Sequence, residues 1–375
     1  MNRNVVITGL GVVTPLGSEP GEIIARIDAG ESAAAIPKSF DSAPFDCPLC
    51  AEIPDFDAEA CFPDNKTLRM MNRDAQLALV AAKRAFQDAS LTTGGDYPAD
   101  EVGLFGSTGL AGMPVSEINQ LVRNSAGCDG RLDLRRFGRE ALKRVRPVLS
   151  FKILANMPIC FVSIFQGIRG PNAVYTPWEG QGARAIAAGV MAIRSERLRC
   201  ALVGGCDAKA HALGFISLQQ QGVFRSWRET GTGTVPGEGA AFLVLEDEQS
   251  ARARDAGVYA RITGWDVRTG HGRNTNGEFV EVMASLGPAC PSVVMAGADG
   301  RAEEREAELA AIAEVGAASA RIVHPKRHVG NLFAAAAAVQ VSLAAHCCRS
   351  LGRGAVWANC FGHGSELGSF ALEAA

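Results

Sequence analysis

The sequence predicts an α/β protein whose strands are covered on both faces. Short apolar runs rich in β-branched residues alternate with helical stripes along the whole chain. Glycine is abundant at 42 residues while aromatic residues make up only 6 %, a balance that suits tight strand–helix turns packed through alanine and glycine. Hydrophobic residues account for 47 % and charged residues for 21 % of the 375 positions. A chain of that make-up can bury a large core and is too apolar to stay disordered.

The strand signals, in chain order, are Val5 to Ile7, Gly103 to Phe105, Leu202 to Val203, Ala241 to Leu245, Arg261 to Ile262, Val293 to Met295, Arg321 to Val323 and Ala355 to Trp357. Most are near-continuous apolar runs, as expected of strands with both faces covered. The first helical pattern places Met71, Ala75, Ala78, Leu79, Ala82 and Phe86 on one stripe. Two others, Ala183 to Arg194 and Leu332 to Ala345, are apolar nearly all round, which predicts helices inside a large domain. Alternation of this kind indicates α/β architecture. The segment Ile7-Thr8-Gly9 with Val12 and Thr14 recurs at the same spacing as Ile262-Thr263-Gly264 with Val267 and Thr269. Read as a repeat, it divides the chain into two related halves, residues 1–250 and 251–375. The junction falls in the charged, Ala/Arg-rich stretch Asp247 to Gly257. No low-complexity linker separates the halves, so one packed body is expected.

Lys and Arg total 37 against 40 Asp and Glu, a net charge of -3. That balance argues against a nucleic-acid binder held by phosphate contacts. Met1-Asn2-Arg3-Asn4 runs straight into Val5-Val6-Ile7 with no signal-peptide pattern. No stretch approaches the ~20 apolar residues that span a bilayer, and the expectation is a cytoplasmic protein. There the eleven cysteines read as small buried hydrophobes rather than disulfides. Cys47-Pro-Leu-Cys50 has CxxC spacing but no second pair to complete a zinc site; it is either a loop with two free thiols or a lone metal or redox pair. Cys347-Cys348 reads as helix packing. No metal and no cofactor are expected.

Several segments resemble one family. Val5-Val6-Ile7-Thr8-Gly9-Leu10-Gly11-Val12-Val13-Thr14-Pro15-Leu16-Gly17 is similar to the opening of a β-ketoacyl-acyl-carrier-protein synthase. So are Asn156-Met157, Val162-Ser163-Ile164 and Gly170-Pro171-Asn172, then Val203-Gly204-Gly205-Cys206-Asp207 and Val235-Pro236-Gly237-Glu238-Gly239-Ala240. Asn359-Cys360-Phe361-Gly362 with Gly364 resembles the family's closing glycine turn. The segments occur in the family's order from one end of the chain to the other. The resemblance implies the thiolase fold, with two similar βα halves in a five-layered αβαβα sandwich, dimeric through a strand of the first half.

Function has to be read from the site rather than the fold. By the resemblance, an active member uses a Cys at the start of a buried helix, where the helix N-terminus favours the thiolate, and two His that assist decarboxylation and stabilise the enolate. Aligning Arg184-Ala185-Ile186 with the family's His-Ala-Ile places Glu179 at the Cys, and no Cys lies between Cys160 and Cys200. Glu179 reads either as a permanent plug accepting hydrogen bonds at the helix end or as a plain helix cap. The first His falls at Gly297, in the turn Val294-Met295-Ala296-Gly297-Ala298-Asp299. The second falls at Asn331, with the family's lysine retained as Lys326; an Asn donates hydrogen bonds but does not titrate. His328, three residues off register, either swings into the site or is a surface or packing histidine. His363 stands at the Phe of the closing turn, which gates the acyl pocket in active members.

All three catalytic positions are altered while the scaffold motifs are kept. That pattern resembles the chain-length factor, or KSβ, of type II systems, which pairs with an active ketosynthase. Many aromatic-polyketide members carry Gln at the Cys position; Glu179 turns the reading towards the aryl polyene type. The resemblance then implies a non-catalytic subunit that completes its partner's acyl tunnel, with an acyl carrier protein as a further partner. Met113, Phe161 and Phe165 are candidate tunnel walls and His363 the gate; the alternative for the three apolar residues is ordinary core or interface packing. Two other functions stay open. One is a malonyl-carrier-protein decarboxylase in which Lys326 and Asn331 stabilise the enolate and Glu179 mimics the acyl group. The other is an inactive scaffold protein.

Overall fold

Each of the eight apolar runs is a strand in the computed structural model, which describes residues 3–62, 66–110, 115–145, 147–271 and 275–375. The strands are β1 (Val5–Val13), β2 (Val102–Thr108), β3 (Asn172–Tyr175), β4 (Cys200–Ala208), β5 (Glu238–Asp247), β6 (Ala260–Thr269), β7 (Pro291–Met295), β8 (Arg321–Val323), β9 (Ala355–Cys360) and β10 (Glu366–Glu373). They form one sheet in the order β3-β2-β4-β5-β1-β6-β10-β9-β7-β8. The order reads alike from both ends. β3, β2 and β4 run parallel and are followed by antiparallel β5 and β1. β8, β7 and β9 run parallel and are followed by antiparallel β10 and β6. β1 and β6 pair at the seam, with Val5 opposite Ile262 and Ile7 opposite Ala260, so the two copies of the Ile-Thr-Gly segment lie on adjacent central strands.

Helices α1 (Arg73–Asp88) and α2 (Met157–Gln166) cover the outer face of the first five strands, packing on β1, β2, β4 and β5. Helices α3 (Glu179–Arg194) and, in the second half, α7 (Ala336–Leu351) touch each other and strands of both halves. The largest apolar cluster sits around them and joins Ile7 and Leu243 to Ile186, Val339, Met295 and Val356. Between α3 and α7 in the chain come α4 (Asn276–Ala284), α5 (Ala302–Glu314) and α6 (Pro325–Val329). α4 and α5 cover the outer face of the second five strands, where Phe279, Ile312, Val294 and Trp357 cluster. The result is the duplicated five-layered αβαβα arrangement, with β1–β6 pairing joining both halves into one ladder.

Helix boundaries differ from the sequence expectation where polar contacts intervene. α1 starts at Arg73 because the Asn72 side chain accepts the Ala75 N–H and caps it. α3 begins at Glu179, four residues before the apolar stripe of Ala183 to Arg194. α7 begins at Ala336, not at Leu332, because Phe333–Ala335 is a 3₁₀ turn entered through Phe333 at φ 43°. Asn331 Oδ1 accepts the Phe333 N–H at 2.9 Å and holds that turn. Among the described residues no helix is long and apolar enough to cross a membrane.

Candidate functional site

Four connections converge on the head of α3. The first is the chain entering α3 itself, whose N-cap residue is Trp178 and whose first helical residue is Glu179. The second is the loop after β7, carrying Gly297 and Asp299; the third is α6 and the loop after it, carrying Lys326 and Asn331; the fourth is the turn from β9 to β10, carrying Gly362, His363 and Gly364. Glu179, Asp299 and Asn331 are each at most 1 % exposed, and Lys326 is 4 % exposed.

Glu179 is the hub. Its Oε1 accepts a hydrogen bond from Asn331 Nδ2 at 2.7 Å and lies 3.8 Å from the Lys326 ammonium and 3.2 Å from His363 Nδ1. Its Oε2 accepts the His363 backbone N–H at 2.9 Å. The N-terminus of α3 adds positive potential at the same place. Burial alone would raise the Glu179 pKa, but Lys326, His363 and Asn331 outweigh it and hold it at about 2. Gly362 lets the turn approach this closely, since a Cβ there would lie 2.1 Å from Glu179 Cδ.

Asp299 is a second buried carboxylate, missed in the sequence although it closes the quoted Val294–Asp299 turn. Its Oδ2 accepts from Thr234 Oγ1 at 2.6 Å and from Asn331 Nδ2 at 3.3 Å; its Oδ1 pairs with Arg301 at 3.1 Å. Burial opposes its ionisation, yet Arg301, His363 and Lys326 hold its pKa well below the usual carboxylate range. Thr234, also missed, stands immediately before the Val235-Pro236-Gly237 motif. Trp178 and Phe333 complete the enclosure, with ring centroids 5.6 Å and 5.8 Å from the His363 ring.

Gly297 adds no side chain to this group, and there is little room for one. A Cβ there would meet the Phe361 nitrogen at 2.8 Å. Its N–H and that of Ala298 both donate to Glu308 at 2.8 Å, and Asn359 Nδ2 donates to the same carboxylate. His328 is not brought in: its Nδ1 contacts the Glu31 carbonyl at 2.6 Å. Nor are two of the candidate tunnel walls. Phe161 is buried in the outer cluster between α1, α2 and the first strands, and Phe165 packs edge-on against Phe62 at 5.5 Å. Met113 lies outside the described residues. Cys47 and Cys50 are free and buried, and burial pushes the Cys47 thiol up to about 12 and the Cys50 thiol further still. Among the described residues no group of three or more His, Cys, Asp or Glu is arranged to hold a metal.

The β-ketoacyl synthase N-terminal domain model matches residues 2–251. The chain belongs to the β-ketoacyl synthase family. It is 32 % identical over 360 residues to the tetracenomycin polyketide synthase ketoacyl synthase beta subunit of Streptomyces glaucescens, an alignment covering 91 % of this chain and 84 % of that one. Its fold is similar to a β-ketoacyl synthase from Burkholderia phymatum STM815 (TM-score 0.83, 21 % identity, 100 % of both chains). It is likewise similar to the ishigamide ketosynthase/chain length factor (TM-score 0.81, 21 % identity, 100 % of both chains).

The polar groups of this pocket pair chiefly with one another. A carboxylate held at about 2 is a weak base and a weak nucleophile. The nearest cysteine in sequence to the closing turn, Cys360, is fully buried and its thiol is pushed up to about 12. Asn331 Nδ2 already serves two carboxylates. The Lys326 ammonium donates to the Phe361 carbonyl besides facing Glu179. The Asn331 and Lys326 donors are therefore engaged within the chain.

Proposed function

We propose that this chain is a non-catalytic chain-length-factor subunit of a type II β-ketoacyl synthase. It pairs with an active ketosynthase and shapes that partner's acyl tunnel in aryl polyene or polyketide assembly, with an acyl carrier protein delivering the chain in the cytoplasm. Glu179 stands where the active subunit has its Cys, and Gly297 and Asn331 where it has its two His. The halves divide at residues 250/251, between β5 and β6.

The observation that carries this reading is the self-filled pocket: Glu179 takes the hydrogen bonds of Asn331 and His363 that a reacting carbonyl would need. The same observation disfavours malonyl decarboxylation, because Lys326 and Asn331 are engaged before any substrate arrives. A partner subunit is supported by the surface. Eleven of the sixteen exposed large apolar side chains among the described residues lie between 110 and 164, Leu132, Leu134 and Ile164 being over 60 % exposed. This stretch leads into β3, the edge strand of the sheet. Exposed apolar surface beside an unpaired edge marks an interaction face.

The test is co-expression with an intact ketosynthase followed by intact-complex mass measurement. A one-to-one complex is expected, with neither condensation nor carbon dioxide release from malonyl-carrier protein by this chain alone. Isolation as a condensing homodimer would sink the reading, and carbon dioxide release abolished by Glu179→Ala would replace it with the decarboxylase.

A further inference from the structure

Five side chains around the α3 head close into a ring. Asn331 Nδ2 links Glu179 Oε1 at 2.7 Å to Asp299 Oδ2 at 3.3 Å. Thr234 Oγ1 donates to that same Asp299 oxygen at 2.6 Å and lies 3.4 Å from His363 Nε2. His363 Nδ1 returns to Glu179 Oε1 at 3.2 Å. Because Thr234 gives its proton to Asp299, both ring nitrogens of His363 face oxygen acceptors. Around Glu179 the donors form a cage for one carboxylate: an amide N–H, a backbone N–H, an ammonium and the N-terminus of a 16-residue helix.

We propose that this cage is a carboxylate-binding site whose ligand is built into the chain, and that the bound Glu179 latches the Gly362–Gly364 turn shut. The backbone contact to His363 ties the turn to α3, and Trp178 and Phe333 flank the imidazole on the same side chain. Asp299 and Thr234 are positioning residues: they act by orienting Asn331 and the His363 ring. On the proposed function, a latched turn keeps the head of α3 covered, so a carrier-bound chain engages the partner's site only.

Removing the internal ligand should leave a vacant site for a small external carboxylate. Glu179→Ala is expected to speed hydrogen exchange of the 361–365 amides roughly tenfold or more, because local opening of the turn sets that rate. About 0.1 M acetate should slow exchange back towards the parent rate and raise the melting temperature of the variant, as a ligand binding only the folded state does. Chloride at equal ionic strength should do neither, and the parent chain should not respond to acetate. If Glu179→Ala does not fold, Glu179→Gln carries the exchange measurement and His363→Ala separates loss of the ring from loss of the carboxylate. Parent-like exchange in a folded Glu179 variant would overturn the latch. An acetate response no larger than that to chloride would overturn the carboxylate site. Complex formation with a ketosynthase, measured by mass on the same variants, is independent of both outcomes and reports on the subunit reading alone.

Discussion

At the scale of single residues, Glu179 is the most densely paired buried carboxylate at the head of α3. Its carboxylate is buried, faces one ammonium and accepts directed hydrogen bonds. Removing one member of such a group leaves the others uncompensated, and Glu179→Ala should cost about 3–5 kcal/mol in denaturant unfolding. The pH dependence has a definite sign. The folded pKa, about 2, lies below the ordinary 4.5, so the stabilisation is complete above the ordinary value and is lost as pH falls from there through about 2. The melting-temperature gap between the parent and Glu179→Gln should be flat from neutral pH down to about 5 and shrink on further acidification. A gap that widens in acid would contradict the assignment of Glu179 as the buried anion.

At the scale of elements, the seam between the halves is held by polar contacts that hydrophobic patterning does not reveal. Glu246 on β5 is fully buried and is paired by Arg254 at 2.6 Å, by the Tyr97 hydroxyl at 2.6 Å and by Thr8 on β1. Arg254 follows β5 on the way to β6, so this group ties the crossover between halves to the strand pair beneath it. Tyr97→Phe keeps the ring and removes one bond to a charged acceptor; the expected loss is about 1.5–3 kcal/mol in guanidinium unfolding. A loss below about 0.5 kcal/mol would mean that water replaces the hydroxyl. Particular elements also show why the sequence was readable in part. β5 and β9 contain the apolar runs Ala241 to Leu245 and Ala355 to Trp357, which mark them as strands. β3 escaped notice because it is a four-residue edge strand with half-exposed side chains, and β10 because Gly368 and Ser369 interrupt its apolar pattern. The start of α7 was misplaced because Asn331 caps a 3₁₀ turn ahead of it, a side-chain contact that periodicity cannot express.

For the whole molecule, Glu179, Gly297 and Asn331 lie on three segments that only the fold brings together, and on the proposed function all three would have to change before condensation returns. Restoring one of them is therefore not enough. Glu179→Cys should place a thiol at the α3 head yet give no condensation product from acyl- and malonyl-carrier protein, because Gly297 has no side chain and Asn331 does not titrate. Product formation by that variant without a partner would show that the scaffold is still competent. On the proposed function the expectation extends to the assembly: a subunit whose pocket is internally filled would contribute shape and surface, and the exposed apolar side chains described between 110 and 164 and the β3 edge are candidates to offer them.

The sequence by itself determined the α/β class, the strand-and-helix order and the repeated Ile-Thr-Gly segment, and it singled out Glu179, Gly297 and Asn331 as the positions to inspect. Those are local or ordered features, and hydrophobic period and motif order report them directly. The tertiary structure alone decided what surrounds those positions. Asp299, Thr234 and Trp178 lie far from Glu179 or outside the family's catalytic positions, and a hydrogen bond between residues 152 positions apart, such as Asn331 to Glu179, leaves no periodic trace in a chain. Whether a buried carboxylate is a strained remnant or a bound anion depends on the donors folded around it, and folding supplies those donors from four separate connections at once.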